Sequence, residues 1–586
     1  MSTPDQFGSG SLRPLVQGYG GAVVAGHPTA ALVGLDVLRG GGNAVDAGIA
    51  TGLAMNVLLS HECGFFGVAP TLVYLGDTGE VINFDGTGVW PERISLDMFA
   101  DANGLSEKTD ILHTVTPGTP DAWITALSRY GTRSFADTAA PAIALAEHGF
   151  PMYPYLHRVL STRPANYRRW PGSAAVFFPH GELPGIGVRF LQRDLAATLG
   201  AVCRAEQSAL GRGREAGLRA ARDSIYKGEL ARRYVEYCRS EGGVLTLEDM
   251  ANYEGRCEQP SRVTYRGLDV YCTGLWGQGP VFPQALKILE GYDLRTMGHN
   301  SASYVHAVNQ ALNLAFADRE AHMGDPRFTG GRLEALLSEQ YITLRRALID
   351  PHRAWSEMPP AGDPSGMKGV LANGGPIMGS SSAGPGHARA DTGTAYLGVI
   401  DGSGNIFSCI SSDGARSSPI IPGVGVGLSF RGSQCKLEAG HPASPAPGKR
   451  PRLTPAPALV LKGGQPFMAL GGFGGDMIPQ AILQIFLNAF EFGLDPQAAV
   501  EAPRFYSCNF PSSSYLPTYL PGVLRAEARL EADVLDALAA KGHSVEQLPA
   551  WWEEGACLYA MIQVQPDTGA LQAGADPRGG AYALAY

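Results

Sequence analysis

Thr392-Gly393-Thr394-Ala395-Tyr396-Leu397-Gly398-Val399-Ile400 marks the place where the chain changes character. The residues before it, 359–390, are dominated by Gly, Pro, Ala and Ser and carry almost no apolar periodicity. A structureless stretch of about thirty residues is uncommon inside a compact domain unless it is functional or a linker. Residues 395–400 then read as a buried strand, and Asp401-Gly402 as a hairpin turn into a second strand over 405–411. A Thr hydroxyl is a weak nucleophile unless a base lies beside it. One solution makes the Thr an N-terminus, so that its own α-amine accepts the hydroxyl proton. That requires a cut just before the Thr, in an accessible loop that meets a rigid strand. Residues 359–394 fit this description, although a strand beginning Thr-Ala-Tyr-Leu is also an ordinary one.

Outward from there, Gly471-Gly472-Phe473-Gly474-Gly475-Asp476 lies between a strand at 467–470 and an apolar helix at 479–492. Such a turn offers bare backbone N–H groups to an oxyanion, and a plain tight turn has the same pattern. Near the start, 22–25 reads as a strand, His27-Pro28-Thr29 begins a helix stopped by Gly40-Gly41-Gly42, and 43–59 carries Val45, Ile49, Leu53 and Val57 on one helical face. Strands are expected at 71–75, 81–84, 458–461 and 560–564, and helices at 136–147, 193–209, 303–323 and 531–541. Thr246-Leu247-Glu248-Asp249 is a capping-box start to another helix.

Composition narrows the function. The 586 residues include 76 Gly and 42 Pro, with 45% hydrophobic and 17% charged. That apolar content, with no three-residue Gly period, excludes a collagen-like or disordered chain. Length alone suggests two to four domains. A net charge of −9 argues against a nucleic-acid partner, and the basic run 212–222 reads as a solvated helix face. No window reaches about 18 apolar residues, so no membrane span is expected. Residues 1–21 lack the apolar run of a secretory leader, which makes a cytoplasmic location the expectation. Nine scattered Cys without a CxxC pair point to reduced, buried thiols and against zinc or redox motifs. No metal or organic cofactor is expected, because the chemistry above needs only a hydroxyl, an amine and backbone donors.

The residues also carry a family resemblance. His27-Pro28, Gly40-Gly41-Gly42-Asn43-Ala44-Val45-Asp46-Ala47 and Thr116-Pro117-Gly118-Thr119-Pro120 resemble the N-terminal signatures of the gamma-glutamyltransferases (gamma-glutamyltranspeptidases, glutathione hydrolases). So, in the same order, do residues 140–146, Ala317-Asp318-Arg319 with Gly324-Asp325-Pro326, Pro447-Gly448-Lys449-Arg450-Pro451, Gly474-Gly475 and Glu501-Ala502-Pro503-Arg504. The closing Ala575-Asp576-Pro577-Arg578 resembles the divergent branch of that family. The resemblance spans nearly the whole chain. It implies an α+β fold, the four-layer αββα sandwich of the N-terminal-nucleophile hydrolases, made as one inactive precursor that cuts itself. Aligned on Val399-Ile400-Asp401, it puts the nucleophile and its α-amine base at Thr394 and the scissile bond at Gly393–Thr394, with Thr392 the only nearby rival. Residues 1–393, including a flexible 359–393 segment, would form a large subunit and 394–586 a small one, in one interlocked fold. Gly474 and Gly475 match the family's oxyanion-hole pair. The implied partner is a small-molecule amide, whose gamma-glutamyl or related acyl group passes through an acyl-enzyme to water or an amine. A homo-oligomer of the processed heterodimer is left open.

Several positions depart from that family. Thr87 falls where an Arg grips the glutamyl carboxylate, and a Thr cannot make that bidentate contact. Gln434 falls at the acidic partner of the substrate α-amine, Leu453 and Thr454 at paired serines, and Asp413 at an Asn; Ala395 follows the nucleophile in place of a second Thr. Losing such readers puts strict gamma-glutamyl specificity in question. Thr87, Asp413, Arg431, Gln434 and Thr454 are thus the candidate substrate-binding residues. Arg416 and Arg431 could bind a differently placed carboxylate, and Trp90, Trp551 and Trp552 could line an apolar acyl pocket, with packing roles the alternative for each. Two other functions accompany this reading: an acylase acting on glutaryl-type or other side-chain amides, and a non-catalytic, unprocessed homologue acting as a binding protein.

Overall fold

A computed structural model describes residues 11–99, 107–371, 393–416, 418–552 and 557–586. Two mainly antiparallel sheets are stacked face to face, with helices outside each. The first runs Tyr582–Ala585, Gly21–Ala25, Thr394–Asp401, Ile406–Asp413, Thr71–Tyr74, Val81–Phe84 and Cys257–Glu258, with Cys63–Val68 also pairing to Ile406–Asp413. The second runs Val16–Gly18, Leu571–Ala575, Ala560–Val564, Gln465–Gly471, Ala458–Lys462, Leu268–Cys272 and Ser261–Tyr265. This is the α+β, four-layer αββα sandwich expected.

Period-two alternation builds the layers. Leu459, Leu461, Ala469 and Ile562 turn toward the first sheet and join the core around Tyr396 and Leu397. Their neighbours Val460, Met468, Leu470 and Met561 turn the other way, onto helices Val281–Leu289 and Ile478–Phe490. The first sheet is covered by Pro28–Arg39 and Ala44–Leu58; the second of these is started by an Asn43/Asp46 capping box. The sheets approach closely where side chains are smallest: a Cβ on Gly471 would lie 2.3 Å from the Tyr396 ring.

The strand Thr394–Asp401 lies at the centre. It pairs with Ile406–Asp413 on one side and Gly21–Ala25 on the other, and Gly21–Ala25 is in turn flanked by Tyr582–Ala585. Residues far apart in the chain are therefore adjacent in one sheet. The stretch before the central strand is firmer at its start than its composition suggests. Asp363 and Lys368 bond each other's backbones, Arg345 donates to Pro360 and Gly369 carbonyls, and Gly362 N–H donates to Asp318. Residues 359–371 thus form a turn whose backbone is bonded in part by the buried side chains of Arg345 and Asp318. Residues 372–392, including Thr392, lie outside the described residues.

Candidate active site

Thr394 opens the central strand opposite Ser412. Its Oγ1 donates to the Gly393 carbonyl oxygen at 2.5 Å and lies 2.7 Å from Ser412 Oγ. The same carbonyl oxygen accepts from Ser412 Oγ at 2.6 Å, from Arg431 Nη2 at 3.2 Å and from Asp413 N at 3.5 Å. Arg431 also donates to Ser412 Oγ, and both side chains are buried. Gly393 has φ 67°, in the left-handed region, and a Cβ there would fall 2.6 Å from Glu62 Cα. Only glycine meets both conditions.

Sequence reasoning missed the carboxylate on the other side. Thr394 N–H donates to Glu62 Oε2 at 3.3 Å. Glu62 Oε1 accepts from Tyr155 OH at 2.9 Å and lies 3.4 Å from Arg416 Nη2 and 3.5 Å from His61 Nε2. Burial, reinforced by Arg416, holds His61 well below the usual imidazole range, so it is neutral. Burial likewise holds the Tyr155 phenol well above its usual range. The only signal was a polar His61-Glu62 pair following an apolar helix. Ser412 was missed for a similar reason, as one hydroxyl in a run of small strand residues.

The candidate substrate residues divide. Asp413 sits beside the Gly393 carbonyl through its backbone, but its carboxylate turns away to accept from Ser429 Oγ at 2.5 Å and Phe430 N at 3.2 Å. That anchors the loop carrying Arg431. Burial pushes the Asp413 carboxyl up to about 6 against the opposing pull of Arg431. Gln434 and Thr454 bond each other twice, side chain to side chain at 2.8 Å and Thr454 N to Gln434 Oε1 at 3.1 Å. Thr87 is buried and donates to the Gly88 carbonyl of its own turn. Gln278 ties the Thr454 carbonyl to the Gly475 carbonyl, at 2.9 and 2.8 Å. Gly474 and Gly475 have φ of 138° and 57° and lead into the helix Ile478–Phe490, as the strand–turn–helix pattern predicts.

Beside Glu62 opens a cavity of about 420 Å³, lined by Tyr155, Arg158, Arg416, Phe473, Trp551 and Trp552 among others. Tyr155 and Arg416 connect it to Glu62, and Phe473 connects it to Gly474. Trp551 and Trp552 therefore share a pocket with Arg416. Trp90 is elsewhere, packed edge-on to Phe99 and against Gly432 beneath the Arg431 loop.

Two stacked sheets between helix layers, with a Thr opening the central strand after a buried Gly–Thr bond, define an N-terminal-nucleophile hydrolase. The chain belongs to the gamma-glutamyltranspeptidase family, whose model matches residues 30–586. It is similar to the acylase ACY 1 proenzyme of Pseudomonas sp. (strain SE83), at 31% identity over 91% of this chain and 88% of that protein. It is also similar to the glutathione hydrolase-like YwrD proenzyme of Bacillus subtilis (strain 168), at 30% identity over 95% and 97%. The crystal structure of a cephalosporin acylase from Bacillus halodurans matches with TM-score 0.83 and 29% identity, over 100% of this chain and 99% of that one. The protein is an enzyme of this kind, a self-processing amidohydrolase or acyltransferase.

Proposed function

We propose that the chain cuts itself between Gly393 and Thr394 and that Thr394 then hydrolyses an amide whose acyl group carries a carboxylate. The observation that carries this is the convergence of Thr394 Oγ1, Ser412 Oγ and Arg431 on one carbonyl. Thr394 Oγ attacks the Gly393 carbonyl carbon, and Ser412 and Arg431 hold the developing oxyanion. The C–N bond breaks, the nitrogen takes the hydroxyl proton, and water hydrolyses the resulting ester. The products are a Gly393 carboxylate and a Thr394 with free amine and hydroxyl, on pieces 1–393 and 394–586 that form one enzyme. In turnover the amine accepts the Oγ proton, and Gly474 and Gly475 N–H groups face the oxyanion, each donor worth about 3–4 kcal/mol.

An acylase-type substrate fits better than a gamma-glutamyl one. The positions matching glutamyl readers are already engaged, Thr87 by its own turn and Gln434 by Thr454. Arg416, which also pairs with Glu62 at 3.4 Å, borders the cavity with Trp551 and Trp552, and this lining suits a planar or apolar group with a carboxylate. The acylase names of two of the proteins compared support the same reading. Purified protein should separate into two pieces whose masses place the cut at residue 393, and Thr394→Ala should abolish both cut and turnover. One intact chain after long incubation refutes the processing step. Glutaryl p-nitroanilide should be turned over faster than its gamma-glutamyl counterpart; the reverse order refutes the substrate assignment.

A further inference from the structure

We propose that Glu62 is a positioning residue for turnover, holding the α-amine of mature Thr394 so that its lone pair faces the hydroxyl. This rests on the proposed nucleophile. In the uncut chain, Glu62 Oε2 already accepts the Thr394 N–H at 3.3 Å, while Oγ1 lies on the side of Ser412. After the cut the same nitrogen carries the amine, and one of its hydrogens keeps the bond to Glu62. The second oxygen is fixed by Tyr155 at 2.9 Å and Arg416 at 3.4 Å, so the carboxylate cannot swing away.

The charge has a second effect. Arg431 reaches the Gly393 carbonyl at 3.2 Å and Arg416 the far oxygen of Glu62 at 3.4 Å, and alone these guanidinium groups would make the amine harder to protonate. During acylation the amine takes the proton from Oγ as Oγ bonds to the substrate carbonyl carbon, and it then gives that proton to the departing amine nitrogen. During deacylation it takes one from the water that bonds to the ester carbonyl carbon, and returns it to Oγ as the C–Oγ bond breaks. Glu62 stabilises the ammonium at both stages. The other groups around this point stay neutral: burial keeps His27 and His61 low, and Tyr153, Tyr155, Cys63 and Cys557 high. Asp413 titrates in the same window through its burial, but it is common to every variant compared below.

In the uncut chain this nitrogen is an amide, which gains a proton only as the C–N bond breaks, so Glu62→Gln should still be cut, though more slowly than wild type. The mature variant should hydrolyse glutaryl p-nitroanilide with kcat lowered at least tenfold. The acid limb of its kcat/KM profile should move down by about one pH unit or more, because a carboxylate beside an amine raises the amine's pKa. Glu62→Asp, which retains the charge, should keep the limb near the wild-type position. An unmoved limb in the Gln variant overturns the proposal, as does a Gln variant that folds but remains uncut. Should the wild-type chain itself stay uncut or inactive, the proposed nucleophile fails, a result distinct from either.

Discussion

Replacing Gly393 by Ala tests the geometry of the cut most directly. The residue has φ 67°, and the added Cβ would stand 2.6 Å from Glu62 Cα and 2.7 Å from Glu62 O. Left-handed backbone costs an alanine about 1–2 kcal/mol. The overlap costs more, because both atoms are main chain and no rotamer relieves it. Relief requires Gly393 to move by several tenths of an ångström, which carries its carbonyl off donors now at 2.6 and 3.2 Å. Losing one oxyanion donor slows related reactions by about 10²–10³, and a misplacement of about 1 Å can cost 10². Gly393→Ala should thus be cut at least about 100-fold more slowly while folding normally. The intact fraction of freshly synthesised protein, followed by mass spectrometry, gives the rate, and circular dichroism checks the fold. Processing within threefold of wild type would show that the carbonyl is not held as described.

Ser412→Ala removes the 2.6 Å donor and should slow the same cut by about 100-fold, read by the same mass measurement; an unchanged rate contradicts the oxyanion role. For Asp413, raised by burial to about 6, the folded value exceeds the unfolded one, so its stability contribution is present below about pH 4 and lost as pH rises through 6. Asp413→Asn should therefore gain on wild type by about 3 kcal/mol between pH 4 and pH 8, measured by denaturant unfolding, and a constant difference would refute the shift. The two pieces should co-elute in native gel filtration and separate only in denaturant, because Gly21–Ala25 is bonded between two strands of the C-terminal piece.

Much of the sandwich was legible because its elements obey local rules. The helix Arg193–Ala209 and the strand Ala560–Val564 fall at the expected residues, and Asn43 caps Ala44–Leu58 where the Gly40-Gly41-Gly42 stop implied. The hairpin Ser261–Cys272 and the helix Val281–Leu289 were not anticipated. The hairpin alternates buried and exposed residues around an Arg266-Gly267 turn with positive φ at both, a weaker signal than Asn-Gly. The change in chain character marked the region around Gly393 and Thr394, and the family resemblance, aligned on Val399-Ile400-Asp401, picked out the bond between them. Glu62 could not, since its meaning comes from a residue 332 positions away. Thr87 and Gln434 aligned with substrate readers, yet their side chains are engaged locally, and alignment carries no information about that.

The site depends on an irregularity in one strand. Ser412 and Asp413 are consecutive, yet one serves the Gly393 carbonyl and the other anchors Ser429 and Phe430. Pairing with Cys63–Val68 shifts register between them, and Asp413 has φ 72°, a conformation Asp tolerates better than most residues. The bend brings Gly414 N to the Glu62 carbonyl at 3.2 Å and Ala415 N to that of Ser60 at 2.9 Å. A Cβ on Gly414 would lie 2.5 Å from His61 C, so the two backbones can close only at glycine. Two residues further on, Arg416 reaches Glu62 itself. The bulge therefore sets the Arg431 loop and the carboxylate together, while Ser412 is placed by the unbroken pairing that runs from Ile400 opposite Ile406 to Thr394 opposite Ser412. A straight strand would leave Ser412 opposite Thr394 but would move Asp413 and every residue after it. The nucleophile's position is thus fixed by its partner strand as much as by its own.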